Sequence, residues 1–270
     1  MNGVARTAVG AARLRARESE RPDRLFDDPY AGAFVAAADA GQADAGRGSG
    51  AGDLFSDHLV FRTRFFDDYL SGSGCDQVVL PAAGLDSRAF RLDWPAGTRL
   101  FELDLPELLA FKDGVLRELD TTARCERVPV PVDLREDWPG SLRAAGFDPA
   151  RPTAWLAEGL LIYLSPAEAG RLLDGIGALS AAGSRLAFEY APGAAAALAE
   201  RVTAMPELRR IATLWKGGPG EDAVARLEAD GWRARTVDAS TLATRYGRRA
   251  PSGGFLTAVR SDADHRNSPE

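Results

Sequence analysis

Apolar residues along the chain follow two kinds of pattern. Continuous apolar runs are typical of strands covered on both faces of a sheet. Five such runs lie at Gln77–Leu80, Thr98–Leu103, Val128–Val132, Ala154–Leu161 and Arg185–Tyr190. Helical patterns separate them, and this alternation predicts a mostly parallel, doubly wound α/β sheet. The tail adds two predicted strands, Trp232–Val237 and Gly254–Val259, which form an expected antiparallel edge hairpin because no long helix separates them.

Helix signals fill the intervals between these strands. Pro106–Leu119 carries an apolar stripe and has proline at its first position. Ser165–Glu168 is a capping box that opens a second helix, whose stripe is Leu172, Leu173, Ile176 and Leu179. Residues 1–40, 54–72 and 221–230 are also predicted to be helical.

Composition excludes classes of protein more than it identifies one. The net charge is −6, and no basic stripe with interleaved aromatic residues is visible, so nucleic acid is not expected as a partner. No apolar run approaches the roughly 18 residues of a membrane span. Residues 1–24 lack the apolar core of a secretory signal, and Cys75 and Cys125 are too few for a disulfide scaffold. We therefore expect a soluble, cytoplasmic protein without a membrane partner.

Small and acidic residues follow the first two predicted strands, where doubly wound sheets bind their ligands. The turn at 82–84 lets a ligand approach the backbone, although it is not the G-x-G-x-x-G pattern of dinucleotide sites. An acid at the tip of the second strand can bind both hydroxyls of an adenosine ribose. Asp104 is preferred because Pro106 begins the next helix, and Glu102 is the alternative. The alternative is a purely structural role, in which Asp104 is only the N-cap of the helix that begins at Pro106.

Acidic residues also mark the third and fourth strands. Asp133 can accept a hydrogen bond from an adenine amino group, and Leu134 can pack on the ring. Glu158 follows Ala157 within the fourth apolar run. Because an unpaired buried carboxylate is costly, Glu158 is expected to face a cleft or a cation. A structural ion pair with an arginine is the other interpretation.

In this order, these blocks resemble the leucine carboxyl methyltransferase family of class I S-adenosylmethionine-dependent methyltransferases, nearly end to end. The blocks that carry the resemblance are Arg15–Ser19, Leu25–Ala31, Arg62–Asp68, Ala83–Arg88, Phe90–Leu92, and Glu102–Pro106 with Lys112. The N-terminal blocks match the bacterial branch. The resemblance implies a Rossmann-like fold: a mostly parallel seven-stranded sheet with an antiparallel edge hairpin, a helical N-terminal extension and a helical insert as a cap.

The domain organisation follows from this comparison with the family. A single domain over 1–270 is expected, in agreement with the chain length. Its parts are a helical cap at 1–73, a cofactor-binding core at 74–190, a lid insert at 191–220, and a closing helix and hairpin at 221–260. The small and polar residues at 41–53 are predicted to form a loop.

The resemblance also implies which residues bind S-adenosylmethionine. Arginine guanidinium groups would bind the methionine carboxylate. The turn after the first strand would border the methionine and ribose parts. Residues at the ends of the later strands would bind the ribose, the adenine and the amino group. These cofactor residues are Arg15, Arg62, Ala82, Gly84, Asp104, Leu105, Asp133, Leu134 and Glu158. Where the family usually has glycine, this chain has Ala82, whose methyl group narrows the approach.

Carboxyl O-methylation is the reaction that the resemblance favours, with an aromatic polyketide acid as the leading substrate. A carboxylate is ionised at neutral pH and needs no general base, which fits a chain with only two histidines. Orienting it toward the methyl group supplies up to roughly 7–11 kcal/mol of the barrier. Side chains expected to position the acceptor are Arg64, Arg88, Tyr163 and Tyr190. No metal site is predicted.

Other interpretations remain open from the sequence. Arg88, Asp67 and Asp86 are alternatively salt-bridge partners that tie the N-terminal helices over the cofactor. C-methylation of an α-keto acid would need a base, with or without a metal, and His58 is the candidate residue of such a site, although a plain surface or core histidine is the simpler interpretation.

Two further classes of protein are disfavoured. A fold member that binds a cofactor or partner without catalysis is opposed by the intact Asp104, Asp133 and Glu158. A nicotinamide oxidoreductase is opposed by the absence of the G-x-G-x-x-G sequence.

Overall fold

A single sheet organises the computed structural model, which describes residues 3–40, 52–191, 213–249, 251 and 253–262. Its seven strands are β1 Gln77–Pro81, β2 Arg99–Asp104, β3 Glu126–Pro131, β4 Thr153–Ala157, β5 Arg185–Glu189, β6 Trp232–Asp238 and β7 Gly254–Arg260. They lie in the order β3-β2-β1-β4-β5-β7-β6. The first five are parallel, and β7 is antiparallel to both β5 and β6. The strand order reverses between β1 and β4, which is where such sheets bind ligands.

The predicted strands are confirmed, with two corrections. The fourth strand ends at Ala157 rather than at Leu161, because Gly159 turns the chain at a φ of +62° and a single 3₁₀ turn, Leu161–Tyr163, follows. The two last strands do pair in antiparallel fashion. A helix nevertheless connects them, and β7 inserts between β5 and β6.

Nine helices are described, and they surround the sheet. They are α1 Gly3–Ser19, α2 Ala31–Ala40, α3 Gly52–Ser71, α4 Arg88–Arg91, α5 Pro106–Glu118, α6 Trp138–Ala144, α7 Pro166–Ala178, α8 Ala223–Ala229 and α9 Ala239–Tyr246. Residues 20–30 are not helical, which corrects the prediction of helix throughout 1–40. Asp28 supplies the reason, because its side chain accepts hydrogen bonds from the N–H groups of Tyr30 and Ala31 and so begins a new helix.

Two helix predictions are confirmed in detail. Ser165 and Glu168 form the capping box of α7, and the apolar stripe of that helix is buried. The stripe of α5 is also buried, except for Leu119, which is 45% exposed just past the end of the helix. The predicted loop at 41–53 and lid at 191–220 fall largely on residues 41–51 and 192–212, which lie outside the described residues.

Apolar side chains fill both faces of the sheet, as the continuous apolar runs predict. Val78 and Val79 of β1 are both fully buried, but they belong to opposite layers. Val78 packs in the layer that includes Phe61 of α3, and Val79 packs in the layer that includes Ile176 of α7. The strand ends are thereby fixed between two packed layers. Within the described ranges, no helix is long and apolar enough to cross a membrane.

Candidate cofactor site

The tip of β2 is joined to the turn that follows β1. The Asp104 carboxylate accepts a hydrogen bond of 2.6 Å from the Gly84 N–H and one of 2.7 Å from the Leu105 N–H. Burial raises the pKa of Asp104, although these two hydrogen bonds oppose the shift. A carboxylate has about four acceptor positions, so two remain for other donors. The N-cap interpretation of Asp104 is wrong, because Leu105 occupies the N-cap position of α5.

The turn after β1 has an unusual backbone. Ala82 and Gly84 both have a φ of +54°, in the left-handed region that favours glycine. For an alanine this conformation costs roughly 1–2 kcal/mol. In the described part of the chain, only Ala82 and Asp120 adopt it among residues other than glycine. The conformation directs the Gly84 N–H at Asp104, and the turn borders the strand edge as predicted.

Glu102, the alternative ribose ligand, has another role. Its side chain is fully buried and lies 2.7 Å from Lys112 Nζ and 2.8 Å from Arg127 Nη2. Both cations contact the same carboxylate oxygen, Oε2. Glu102 therefore belongs to a buried ion triad inside the sheet, and the alternative assignment is wrong.

A network of alternating charges lies at the ends of β4 and β5. Arg62 of α3 donates to Glu158 at 2.8 Å and to Glu189 at 2.9 Å. Glu189 also accepts hydrogen bonds from the Gly159 N–H, at 2.9 and 3.0 Å. Arg62 thus connects the N-terminal cap to the ends of two neighbouring strands.

Arg88 continues this network toward the cap. It is 2% exposed and donates to Asp67 at 2.7 Å, to Glu158 at 2.6 Å and to Asp86. Asp67 also receives two hydrogen bonds of 2.7 Å from Arg91. The salt-bridge interpretation of Arg88, Asp67 and Asp86 is confirmed. The prediction that Arg88 positions substrate is wrong, because its fork is directed at protein carboxylates.

Burial and neighbouring charges act in opposite directions on the acids of this network. Burial raises the pKa of Glu158, but the charges of Arg88 and Arg62 bring it below its ordinary value. Burial also raises the pKa of Glu189, and there the charge of Arg62 does not offset it. Glu158 is therefore well compensated, and Glu189 is not.

Two other predicted arginines lie elsewhere. Arg15 donates to Asp28 at 2.7 Å and to the Leu85 carbonyl at 2.6 Å, so it fastens α1 to the turn after β1. Its role as a cofactor ligand stays a prediction. Arg64 lies two positions from Arg62, on a different side of α3, and pairs with Asp68 at 2.9 Å. The structure does not bring Arg64 together with the charge network.

The predicted tyrosines are separate from each other. Tyr163 ends the 3₁₀ turn after Gly159. Tyr190 follows β5, and its hydroxyl donates to the Glu221 carbonyl at 2.5 Å. It lines a cleft of about 240 Å³ with Ala191, Thr236, Val237, Asp238, Gly253 and Gly254. Of the two tyrosines, Tyr190 lines this cleft and Tyr163 does not.

The residues after β3 are those predicted to bind adenine. Asp133 forms an ion pair with Arg135, and Leu134 packs against the core layer beside it. Because β2 and β3 are parallel and end together at Asp104 and Pro131, both residues follow the same sheet edge as Asp104, and their contact with adenine stays a prediction. His58 stacks on Phe255 with ring centroids 5.9 Å apart.

Sequence reasoning missed Glu189. The available signal was the one that identified Glu158, namely an acid at the end of an apolar strand. Phe188 of the same strand is fully buried, whereas the side chain of Glu189 is 21% exposed at the strand end.

Comparison with known proteins identifies the family. Residues 8–177 match the model of the family described as leucine carboxyl methyltransferase. The chain belongs to the leucine carboxyl methyltransferase family. A protein of Parafrankia sp. (strain EAN1pec), described as a candidate S-adenosyl-L-methionine-dependent methyltransferase, is 53% identical to it over 96% of this chain and 88% of its own length. A Streptomyces coelicolor protein with the same description is 45% identical over 96% of both chains.

Solved structures agree on the fold. Magnesium protoporphyrin IX methyltransferase from Synechocystis PCC 6803, with bound SAH, covers 81% of this chain and 90% of its own at 18% identity and a TM-score of 0.52. A DUF574 family protein from Streptomyces avermitilis covers 92% and 96% at 15% identity and a TM-score of 0.53. This family member is thus an S-adenosylmethionine-dependent methyltransferase with the class I fold.

The residues at the strand edge fit S-adenosylmethionine. Asp104 retains acceptor positions for ribose hydroxyls, and the half-buried turn at Gly84 permits close approach of a ligand. Among the described contacts Arg62 uses Nε and Nη1, which leaves the N–H groups of Nη2 for a carboxylate, while Glu158 suits an ammonium group. The hydroxyl groups of the cofactor thus meet an acceptor, its carboxylate meets a cation, and its ammonium group meets an anion.

Proposed function

We propose that this methyltransferase transfers a methyl group to a carboxylate oxygen of a small-molecule acid. The observation that carries the proposal is the match of residues 8–177 to a family described as acting on a carboxyl group. The chemistry supports it, since a carboxylate is already ionised at neutral pH and attacks without a base.

The residues of this chain act by binding and orientation. S-adenosylmethionine, when bound, supplies a methyl group on a positively charged sulfur. Asp104 and the Gly84 turn would hold the ribose, and Arg62 would hold the carboxylate of the methionine half. A fixed cofactor presents the methyl group in one direction, which is the main requirement of an in-line transfer.

The cleft beside Tyr190 has a size that suits a small methyl acceptor. It lies beyond the ends of β5 and β6 and the beginning of β7, at the same sheet edge as Asp104. Its volume of about 240 Å³ is below the usual range for drug-sized ligands, which favours a compact acid or part of a larger one. Aromatic polyketide acids are the first class to test, as the family resemblance implies.

The experiment combines product mass with alkali treatment. Purified enzyme is incubated with S-adenosylmethionine and a panel of carboxylic acids, aromatic polyketide acids first. We expect a product heavier by one methylene that mild alkali returns to the parent acid, as a methyl ester requires. An alkali-stable product would overturn the proposal, because only a methyl ester is hydrolysed under these conditions.

A variant of His58 separates carboxylate methylation from methylation at carbon. Methylation at carbon requires a base, whose loss typically costs about 10²–10⁴-fold in rate. We expect His58→Gln to form the ester within about threefold of the parent rate. A loss of a hundredfold or more in folded protein would oppose carboxylate methylation.

A further inference from the structure

The charge network that connects the cap to β4 and β5 is not neutral. Its ion pairs join three arginines to four carboxylates among the described residues: Arg62, Arg88 and Arg91 with Asp67, Asp86, Glu158 and Glu189. Counted over these seven side chains, which are largely withdrawn from water, one negative charge is in excess; Lys112 forms no ion pair with them but also acts on Asp86.

The excess charge lies at Glu189. Glu158 contacts two guanidinium groups, at 2.8 and 2.6 Å, whereas Glu189 contacts only Arg62 among them. Its other partner is the neutral Gly159 N–H. The raised pKa of Glu189 beside the lowered pKa of Glu158 agrees with this distribution of charge.

We propose that Glu189 supplies the negative charge by which this site binds S-adenosylmethionine in preference to its demethylated product. The two ligands share their ribose, adenine, ammonium and carboxylate groups. They differ by one methyl group and by the positive charge on sulfur, which methyl transfer removes. A fixed, poorly compensated carboxylate interacts favourably with that charge and gains little from the neutral thioether.

Glu189 has the location that this role requires. It stands at the end of β5, it accepts hydrogen bonds from Gly159 in the Glu158–Gly159 turn, and its side chain is 21% exposed. It also fixes Arg62, which would contact both ligands alike. A positioning role through Arg62 therefore changes both affinities equally, whereas a charge role changes their ratio.

Discrimination of this kind affects turnover. Methyl transfer to an acceptor converts the cationic cofactor into a neutral product while the network keeps its charge. The affinity of the site for the spent cofactor then falls, and a fresh molecule exchanges more readily for it.

The test is calorimetric titration of the full chain with each ligand separately, at a mildly alkaline pH. Glu189→Gln keeps the shape and an acceptor oxygen for Arg62 but removes the charge. We expect it to weaken S-adenosylmethionine binding about tenfold or more, and binding of the demethylated product less than about threefold. Glu228→Gln, at an exposed site on α8, is the matched control and should change neither affinity.

Equal losses for both ligands would overturn the proposal and leave Glu189 a structural partner of Arg62. Unchanged affinities would overturn it as well. Thermal unfolding checks that the variant is folded. If Glu189→Gln does not fold, Glu189→Asp retains the charge and should keep the preference between the ligands, and loss of that preference would contradict the charge role.

Discussion

The Asp104 carboxylate and the Gly84 N–H are 2.6 Å apart, and this hydrogen bond joins the tip of β2 to the turn after β1. The two residues are twenty positions apart in the chain. One contact thereby fixes both the acid that is assigned to the ribose and the backbone that borders it. A ligand at this edge would meet a preorganised pair rather than two independent groups.

Replacement of Asp104 tests its assignment to the ribose. Asp104→Ala should weaken S-adenosylmethionine binding by about 1–3 kcal/mol, because hydroxyl groups of the ligand lose their acceptor. Titration calorimetry measures this directly. Asp93→Ala removes an exposed carboxylate and serves as the control. An unchanged dissociation constant for Asp104→Ala would remove this residue from the site.

Arg62→Lys should also weaken cofactor binding, even though the charge is kept. The guanidinium contacts Glu158 through Nε and Glu189 through Nη1, and a single ammonium group cannot reproduce that fork. We expect a loss of at least about 1 kcal/mol in binding free energy, measured by the same titration. A lysine variant that binds as tightly as the parent would show that bidentate geometry is not required.

The backbone of the turn after β1 predicts opposite effects at two neighbouring positions. Ala82→Gly should raise the free energy of unfolding by up to about 1 kcal/mol, since glycine adopts a positive φ without strain. Gly84→Ala should lower it by about 1 kcal/mol or more. The added methyl group would lie 3.6 Å from Ala8 Cβ, an ordinary contact, so backbone strain is the main cause. Urea unfolding of both variants is the measurement, and changes of the same sign would contradict this account.

The sequence predicts strand ends well because an apolar run must stop where burial stops. That rule places Asp104 and Asp133 at the sheet edge, and Glu158, expected to face a cleft or a cation, forms the structural ion pairs with arginine that were the other interpretation. The choice between Glu102 and Asp104 was harder, since both lie on the same side of the strand. What decides it is Lys112, which reaches back from α5 to Glu102.

The arginines show that ion-pair partners distant in the chain cannot be identified from the sequence. Arg88 has the chemistry of an anion binder, but its partners Asp67 and Glu158 lie 21 and 70 positions away. Only the packing of α3 and α4 against β4 brings these charges together. A long side chain on a helix can reach several faces, so its partner cannot be read from local spacing.

The buried ion triad predicts a large effect on stability. Lys112→Met should lower the free energy of unfolding by about 3–5 kcal/mol, because Glu102 is fully buried and would keep only Arg127 as its counterion. Arg226→Met is the matched control. It breaks an exposed pair with Asp174 and should change stability by at most about 1 kcal/mol. Denaturant unfolding of the two variants gives the comparison, and similar small losses would show that Arg127 alone compensates Glu102.

Acid should destabilise the protein through Asp86. Burial would raise the pKa of this carboxyl, but the charges of Arg88, Lys112 and Arg91 lower it to about 2. Its value in the unfolded chain is about 3.9, so the folded state keeps the charge where the unfolded state has bound a proton. The stabilisation from Asp86 is therefore complete above about pH 4 and is lost as the pH falls toward about 2.

The lowered pKa of Asp86 corresponds to about 2 kcal/mol in the free energy of unfolding. Asp86→Asn should accordingly be less stable than the parent at neutral pH, and its unfolding free energy should decline less between pH values of about 4 and 2. Urea unfolding at a series of pH values measures both curves. Parallel curves would mean that Asp86 does not titrate with folding, and the acid sensitivity would then have to come from other carboxylates of the network.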